Sequence, residues 1–561
     1  MLKLKITSSL EKFFPGHDRN NVPTLSPYPI LAGEVFSLHA VFWDEESFLK
    51  NRVKVSVTCD APNCEVRLYR VDSVPVRVAA FPGWVDDDYM TTSPGIYPDV
   101  MVKIDEDTPL FAPNDGMNML RAEVWSNSDT PFGEYTVTLT LRTIDESSPF
   151  EEVSESVTFE VLRQSLPPQK TTVMQWLHAD CIAERYGIGA LSDKHFEYVE
   201  KAVRLAVENG INALYTPVFT PPLDTEVGGE RLTVQLVDVK RECGKWSFSY
   251  DNLDRWCDMA LRCGVEYFEI SHLFTQWGAR HAPKIMADVD GKLNRVFGWD
   301  TDAAGEEYVN FLREFLADLL RHMKSRGLDK RCIFHISDEP SEENFESYRA
   351  ASESVRDILS DYIVADAVSN VEYYKSGAIR HPIAGCDHAK DFLPYIPDGL
   401  WVYYCCSQST RVSNRYIAMP LSRVRIMGLQ MWKAKASGFL HWGYNFYNSQ
   451  YSRYPVDPYT CTDGEYFAPA GDAFSVYPGE DGEAVPSLRL RAFHEALSDI
   501  RALEAAEAVL GREAVLAAIE EDISSPLEFD SYPKGAEYIL NVRRKLGRML
   551  KTEATKAESK A

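Results

Sequence analysis

Two adjacent carboxylates, Asp338 and Glu339, lie in the run Arg331-Cys-Ile-Phe-His-Ile-Ser-Asp-Glu-Pro340. A short apolar strand leads into both acids and then a proline. Successive strand side chains point to opposite faces, so neighbouring acids can share one site only where the strand ends and turns. Pro340 favours an extended Glu339 and blocks immediate helix entry. Paired acids at the C-terminal end of a strand suit acid/base chemistry on an acid-labile bond, such as a glycosidic bond. The same tripeptide also occurs in surface turns, so the surrounding elements decide between the two.

Those elements alternate between strand and helix. Eight strand candidates follow residue 170: Val173–His178, Ala213–Val218, Tyr267–Phe274, Cys332–Ser337, Tyr362–Val368, Pro382–Cys386, Leu400–Cys405 and Gly438–Tyr444. Helical patterns fall between most of them, at His195–Asn209, Leu253–Cys263, Glu306–Arg326 and Glu342–Leu359. Eight such units predict a (β/α)8 TIM-type barrel, whose site lies at the C-terminal strand ends. An open doubly wound sheet is the alternative, but no glycine-rich phosphate loop follows the first strand.

On this map the strand ends carry polar and aromatic residues. These are His178 and Asp180, His272, Asp338 and Glu339, Asp366 and Asn370, and Asp387 with His388. Tyr403 and Tyr404 follow on the seventh strand, then Trp442, Tyr444 and Asn445 on the eighth. Barrel interiors are dominated by branched aliphatics, so this set points to a pocket. His178, Asp180, His272 and Asp387 offer an alternative metal set of imidazole and carboxylate. No His-x-His pair lies on the first strand and no His-Glu-x-x-His helix occurs, so neither a metal nor a cofactor is expected. No Gly-x-Ser-x-Gly elbow supports a serine nucleophile.

The fold expected is multidomain. Residues 1–165 form a β-sandwich, from alternating runs such as Val35–Trp43, Val53–Thr58, Glu65–Tyr69, Glu134–Arg142 and Ser156–Leu162. A stiff linker, Arg163–Lys170, precedes the barrel at 171–486. Residues 487–561 form a helical C-terminal extension packing on the barrel, with a frayed tail from Lys551.

Net charge of −25 over 561 residues argues against nucleic acid or an anionic membrane as partner. No apolar run approaches the roughly 18 residues of a membrane span, and the N-terminus lacks a signal-peptide core. Eleven cysteines without paired spacing fit reduced thiols. A cytoplasmic location is expected. Aromatics make up 12% of the chain, with 11 Trp and 28 Tyr, a composition that suits sugar binding as well as a large core.

The motifs together resemble glycoside hydrolase family 123, the β-N-acetylgalactosaminidases. The segments that carry the resemblance are His335–Pro340, Leu400–Cys405, Arg425–Trp432, Ser437–Asn445, Asp457-Pro458, Gly471–Gly479 and Pro486–Arg491. The helix after Arg491 departs from the family pattern, reading Ser498-Asp-Ile-Arg501, which concerns packing and not the acids. The resemblance implies an exo-acting enzyme that releases terminal β-linked N-acetylgalactosamine with retention. Adjacent acids are too close to flank a sugar as an ordinary pair, whose carboxyls stand about 5–5.5 Å apart. They suit assistance by the substrate's own 2-acetamido oxygen. The resemblance then makes Asp338 the acetamide-orienting carboxylate and Glu339 the general acid/base. A seventh-strand tyrosine would bond the acetamide oxygen, and Trp442 would stack on the sugar. A gluco-preferring hexosaminidase and a non-catalytic carbohydrate-binding protein remain open as alternatives. Oligomeric state is also open.

Overall fold

The computed structural model describes residues 1–45, 51–144 and 150–558. By packing, the chain divides into two compact units. One comprises Met1–Gln169, Ser409–Lys433 and Val485–Ala561; the other comprises Lys170–Gln408 and Ala434–Ala484.

The first unit holds two five-stranded sheets. One runs in the order Leu2–Ser8, Val35–Asp44, Asn118–Trp125, Glu65–Val76, Gly95–Ile104, with neighbours antiparallel. The other runs Ile30–Ala32, Glu152–Ser165, Gly133–Thr143, Asn51–Cys59, Leu110–Ala112. Period-two alternation explains why these segments are strands. Val137, Leu139 and Leu141 are buried. Their neighbours Thr136, Thr138 and Thr140 form a hydroxyl ladder with Thr158, Ser156 and Ser154. Phe36 of the first sheet stacks on Phe159 of the second, ring centroids 4.3 Å apart.

The helices of this unit are tied to the sheets by buried ion pairs. Arg489 of helix Leu488–Leu510 forks onto Asp99 at 2.8 and 2.9 Å. Arg121 reaches Glu495 at 2.8 Å, and Arg543 reaches Asp499 and Glu34 at 2.6 and 2.8 Å. Arg425, in helix Leu421–Arg425, bonds Asp499 and Glu495, both at 2.7 Å. The helices after 487 therefore group with the N-terminal sheets, as does Ser409–Lys433. The sequence division placed Ser409–Lys433 within the barrel and gave 487–561 as a separate helical extension packing on it. The paired charges lie far apart in sequence, from Arg543 and Asp499 to Arg543 and Glu34, beyond anything local periodicity can register. The tail also differs from expectation: helix Ala536–Glu558 continues through Lys551 instead of fraying there. Residues 559–561 lie outside the described residues.

The second unit is built on a closed barrel of eight parallel strands. In chain order they are Thr172–Gln175, Ala213–Thr216, Tyr267–Ile270, Cys332–Phe334, Ile363–Val368, His381–Gly385, Trp401–Tyr403 and Gly438–His441. Pairing of the first with the eighth, Thr172 opposite Gly438, closes the ring. Each coincides with an expected strand but is shorter at its C-terminal end or equal to it. The polar ends have left the ladder and turned. Helices Asp193–Glu208, Asp251–Cys263, Glu306–Ser325 and Phe345–Val355 lie between strands where the periodicity places them. Ser192 caps the first by accepting from the His195 N–H at 3.2 Å. Gly264, at φ +95°, ends the second.

One feature of this unit escapes sequence reading. Asp238–Glu242, Lys245–Ser249, Ile285–Val289 and Lys292–Phe297 form a separate four-stranded sheet. Its strands alternate, as at Trp246 and Phe248, but lie in the long connections after the second and third barrel strands, where a (β/α)8 reading expects loop and helix. Among the described residues no helix is long and apolar enough to cross a membrane.

Candidate active site

The fourth strand ends at Phe334, and His335, Ile336, Ser337 and Asp338 continue as buried backbone outside the ladder. Neighbouring strand ends satisfy that backbone. The Ile336 N–H donates to Asp366 Oδ1 at 3.0 Å, and the Asp338 carbonyl accepts from the Trp277 N–H at 3.1 Å. Ser337 Oγ donates to the Thr275 carbonyl at 2.8 Å. The chain then turns sharply, with Glu339 at φ +41°. Glu339 is thus left-handed and not extended as Pro340 suggested. Such a conformation costs on the order of 1–3 kcal/mol for a non-glycine residue. Here the turn brings the Glu339 carboxyl beside Asp338, where Tyr403 Oη donates to Glu339 Oε1 at 2.9 Å. Cys405 Sγ lies 3.7 Å from the same oxygen.

Both acids line a cleft of about 450 Å³, counting the space at its open mouth. Its walls include Trp176, Asp224, Gln276, Tyr403, Trp442 and Phe467. Left-handed non-glycine residues cluster in the same loops: Asp224 at φ +43°, Trp277 at +59°, Ala279 at +54°, Tyr451 at +60° and Ser452 at +54°. Asp224 and Gln276 line the cleft directly.

Charge in the cleft is unbalanced. Burial pushes the Asp338 carboxyl well above its usual range, with repulsion from Glu339 and Asp224 adding to it. Burial also raises Glu339, although hydrogen bonds from Tyr403 and Cys405 favour its ionised form. Asp224 is pushed up to about 7, mainly by burial, with Arg231 opposing. Close, buried carboxyls resist joint ionisation, so as a group they hold protons more tightly than free carboxyls do.

Beneath Asp338 lies a compensating cation. His335 Nε2 donates to Glu269 Oε1 at 2.8 Å, and Nδ1 stands 3.5 Å from Asp366 Oδ1. Burial alone would lower the imidazole pKa, but Asp366 and Glu269 outweigh it and hold it up to about 10. The resulting imidazolium pulls the Asp338 carboxyl back down.

The other strand-end residues divide into those in the cleft and those that hold it. Tyr403 and Trp442 are in the wall. Trp442 is fixed by donating from Nε1 to Asp472 Oδ2 at 2.9 Å. Asp387 lies at the periphery, accepting from Gln408 Nε2 at 3.1 Å, close enough to raise Glu339. His178, His272, Tyr404, Tyr444 and Asn445 are not in the wall. His178 bridges the Trp442 carbonyl at 2.9 Å and Arg231 at 3.1 Å. Asn445 bonds the His178 backbone on both sides, at 2.8 and 3.1 Å, which joins the first and eighth strand ends. His272 lies below the cleft, stacked on His335 at 4.6 Å and bonded to Tyr215. Tyr404 is packed edge-on against Phe439 and His441. Tyr444 donates to the Ala202 carbonyl at 3.0 Å. Tyr403 ends its strand in the cleft wall, whereas Tyr404, the next residue, turns into the packing against Phe439 and His441.

Residues that sequence reasoning missed are Asp224, Gln276, Trp176, Cys405 and Phe467. Asp224 and Gln276 lie in loops beyond strands two and three, and their distance past the strand end hid them. The metal set His178, Asp180, His272 and Asp387 does not converge. His178 and Asp180 are taken up by Arg231, the latter through a fork at 2.8 Å. Among the described residues His272, His335 and Asp366 do bring potential ligand atoms within 4.8 Å of one another. His335 directs both ring nitrogens at carboxylates, Nε2 at Glu269 and Nδ1 at Asp366.

Comparison with known proteins bears on what this cleft does. The family profile for the glycoside hydrolase 123 catalytic domain matches residues 176–506, more than half of the chain. A family 123 glycoside hydrolase from Clostridium perfringens, described in a study of glycolipid glycan hydrolysis, superposes with a TM-score of 0.73. Each chain is covered in full, at 14% identity, so the fold is shared. A Bacteroides ovatus GH5 xyloglucanase reaches only 0.28 at 10% identity, covering 84% of this chain and 97% of its own. That is too distant to inform the site. No curated protein sequence matches the chain.

Proposed function

The chain belongs to glycoside hydrolase family 123, and on that premise we propose that it is an exo-acting β-N-acetylgalactosaminidase that works by substrate assistance with retention. The barrel is of (β/α)8 TIM type, with the cleft at its C-terminal strand ends, and the N-terminal sheets form a β-sandwich. The observation that carries the reading is the adjacent Asp338–Glu339 pair turned into one cleft. The reported glycolipid glycan hydrolysis of the Clostridium perfringens relative is consistent with a glycan substrate.

The 2-acetamido oxygen attacks the anomeric carbon as the glycosidic C–O bond breaks. Glu339 gives its proton to the departing oxygen. An oxazolinium ion forms, and Asp338 accepts the amide N–H and balances the positive charge. Glu339, now ionised, takes a proton from water as that water attacks the anomeric carbon. The acetamide is released and the β configuration is restored. Trp442 stacks under the sugar, and Tyr403 turns its single O–H from Glu339 to the acetamide oxygen when the substrate binds.

This division needs Glu339 protonated and Asp338 ionised. Burial raises both carboxyls, with repulsion from Glu339 and Asp224 adding to it at Asp338. Two influences assign the negative charge to Asp338. The acetamide N–H donates to Asp338, and the His335 imidazolium favours its ionised form. The proton then rests on Glu339, where the leaving group needs it.

A leaving-group series on three proteins tests the roles. Glu339→Gln should lose about 10²- to 10⁴-fold on poorly activated glycosides and far less on activated aryl ones, which need little protonation. Asp338→Asn should lose comparably on both, because it acts through the acetamide. Equal losses for Glu339→Gln across the series, or a near-wild-type Asp338→Asn, would contradict the assignment.

A further inference from the structure

Asp224 is a third carboxyl in the cleft, and the proposed chemistry does not use it. It is 8% exposed, and that exposure faces the cleft. Among the described residues no donor reaches its carboxyl. Arg231, the nearby cation, is spent on Asp180, the Leu223 carbonyl and His178. Burying a carboxyl without a partner is costly, and no donor among the described residues offsets that cost here.

The backbone nevertheless holds Asp224 firmly in place. Its N–H donates to Gln276 Oε1 at 2.6 Å, and its carbonyl accepts from Ser452 Oγ at 2.7 Å. It is pinned at φ +43°, a conformation that a non-glycine residue adopts only under constraint. Gln276 gives its other end, Nε2, to Asp338 Oδ2 at 3.0 Å. A single amide therefore sets the position of Asp224 relative to the acetamide-binding acid.

We propose that Asp224 binds hydroxyl groups of the terminal sugar remote from the reacting carbon, accepting hydrogen bonds from one or two of O3, O4 and O6. The inference rests on the reading of the cleft as an N-acetylhexosaminide site. An ionised carboxyl offers two acceptor oxygens, which suits a pair of ring hydroxyls. Asp338 and Glu339 are committed to the acetamide and the glycosidic oxygen, so the unpartnered carboxyl falls to the rest of the ring. If O4 is among its partners, Asp224 also reads the galacto epimer.

The test is a cycle of kcat/KM for an activated aryl β-N-acetylgalactosaminide and its 3-, 4- and 6-deoxy analogues, on wild type and Asp224→Asn. Wild type should lose about 10- to 100-fold on at least one analogue, the range for a hydrogen bond to a charged group. Asp224→Asn should lose a similar factor on the parent and little more on that analogue. Each ratio is taken within one preparation, so a reduced folded fraction cancels, and Asp224→Ser provides a second variant. Equal factors lost on parent and all analogues would overturn the proposal. So would a loss that deepens with poorer leaving groups, which would make Asp224 a proton carrier. Wild type that cleaves no aryl N-acetylhexosaminide would overturn the functional reading itself and this inference with it.

Discussion

Asp338 and Glu339 are neighbours in sequence but differ in what surrounds them. Glu339 meets a phenol and a thiol, while Asp338 meets an amide and stands above the His335 cation. That cation has a measurable signature. A pKa raised in the fold contributes stability that is fully present below the unfolded value, about 6.5, and lost as pH rises. For His335 the loss runs up through about 10. His335→Asn leaves Glu269 and Asp366 buried without their counter-charge and should cost about 3–5 kcal/mol at neutral pH. The gap in unfolding temperature between wild type and His335→Asn should therefore narrow from pH 8 to 10.5. A gap that stays constant would mean His335 is neutral in the fold. None of this was legible in the sequence. His335 reads there as an apolar-strand residue, and its partners come from the third and fifth strands.

At the scale of elements, the eight barrel strands and the longer helices were readable because apolar periodicity is local. So was the site's location, since strand ends in a barrel converge. Which strand-end residues face inward was not readable, because the turn after each last ladder bond redirects the side chains. Tyr404 and Tyr444 look like pocket residues by position yet serve packing, while Asp224 and Gln276 lie further along their loops. The eighth strand end shows how tightly this geometry is drawn. A Cβ on Gly443 would lie 2.4 Å from the Ala473 carbonyl oxygen. Segment 471–475 would have to move, and with it Asp472, which holds Trp442. Gly443→Ala should destabilise by about 1–3 kcal/mol. It should also raise KM for aryl glycosides more than it lowers kcat, because stacking contributes to binding. Lower stability with unchanged kinetics would show that Trp442 is positioned independently of this loop.

Over the whole molecule, the motifs that carry the family resemblance sort into two kinds of work. His335–Pro340, Tyr403 and Trp442 build the cleft. Arg425, Arg489 and Arg491 instead belong to the buried ion-pair network of the sheet-bearing unit. The departure at Ser498–Arg501 falls within that network, where Asp499 accepts from Arg425 and Arg543. A departure there alters packing and leaves the acids as they are. The division into units was the least legible feature, because it depends on charge pairs between distant segments.

The central claim is that the substrate's own acetamide is the nucleophile. Its most direct test is the turnover of aryl β-N-acetylgalactosaminides and their gluco epimers carrying N-acetyl, N-fluoroacetyl, N-difluoroacetyl and N-trifluoroacetyl groups. Each fluorine withdraws charge from the carbonyl oxygen, so turnover should fall steeply along the series, with the galacto epimer faster throughout. Turnover that is indifferent to fluorination would contradict acetamide participation and return the nucleophile to the protein.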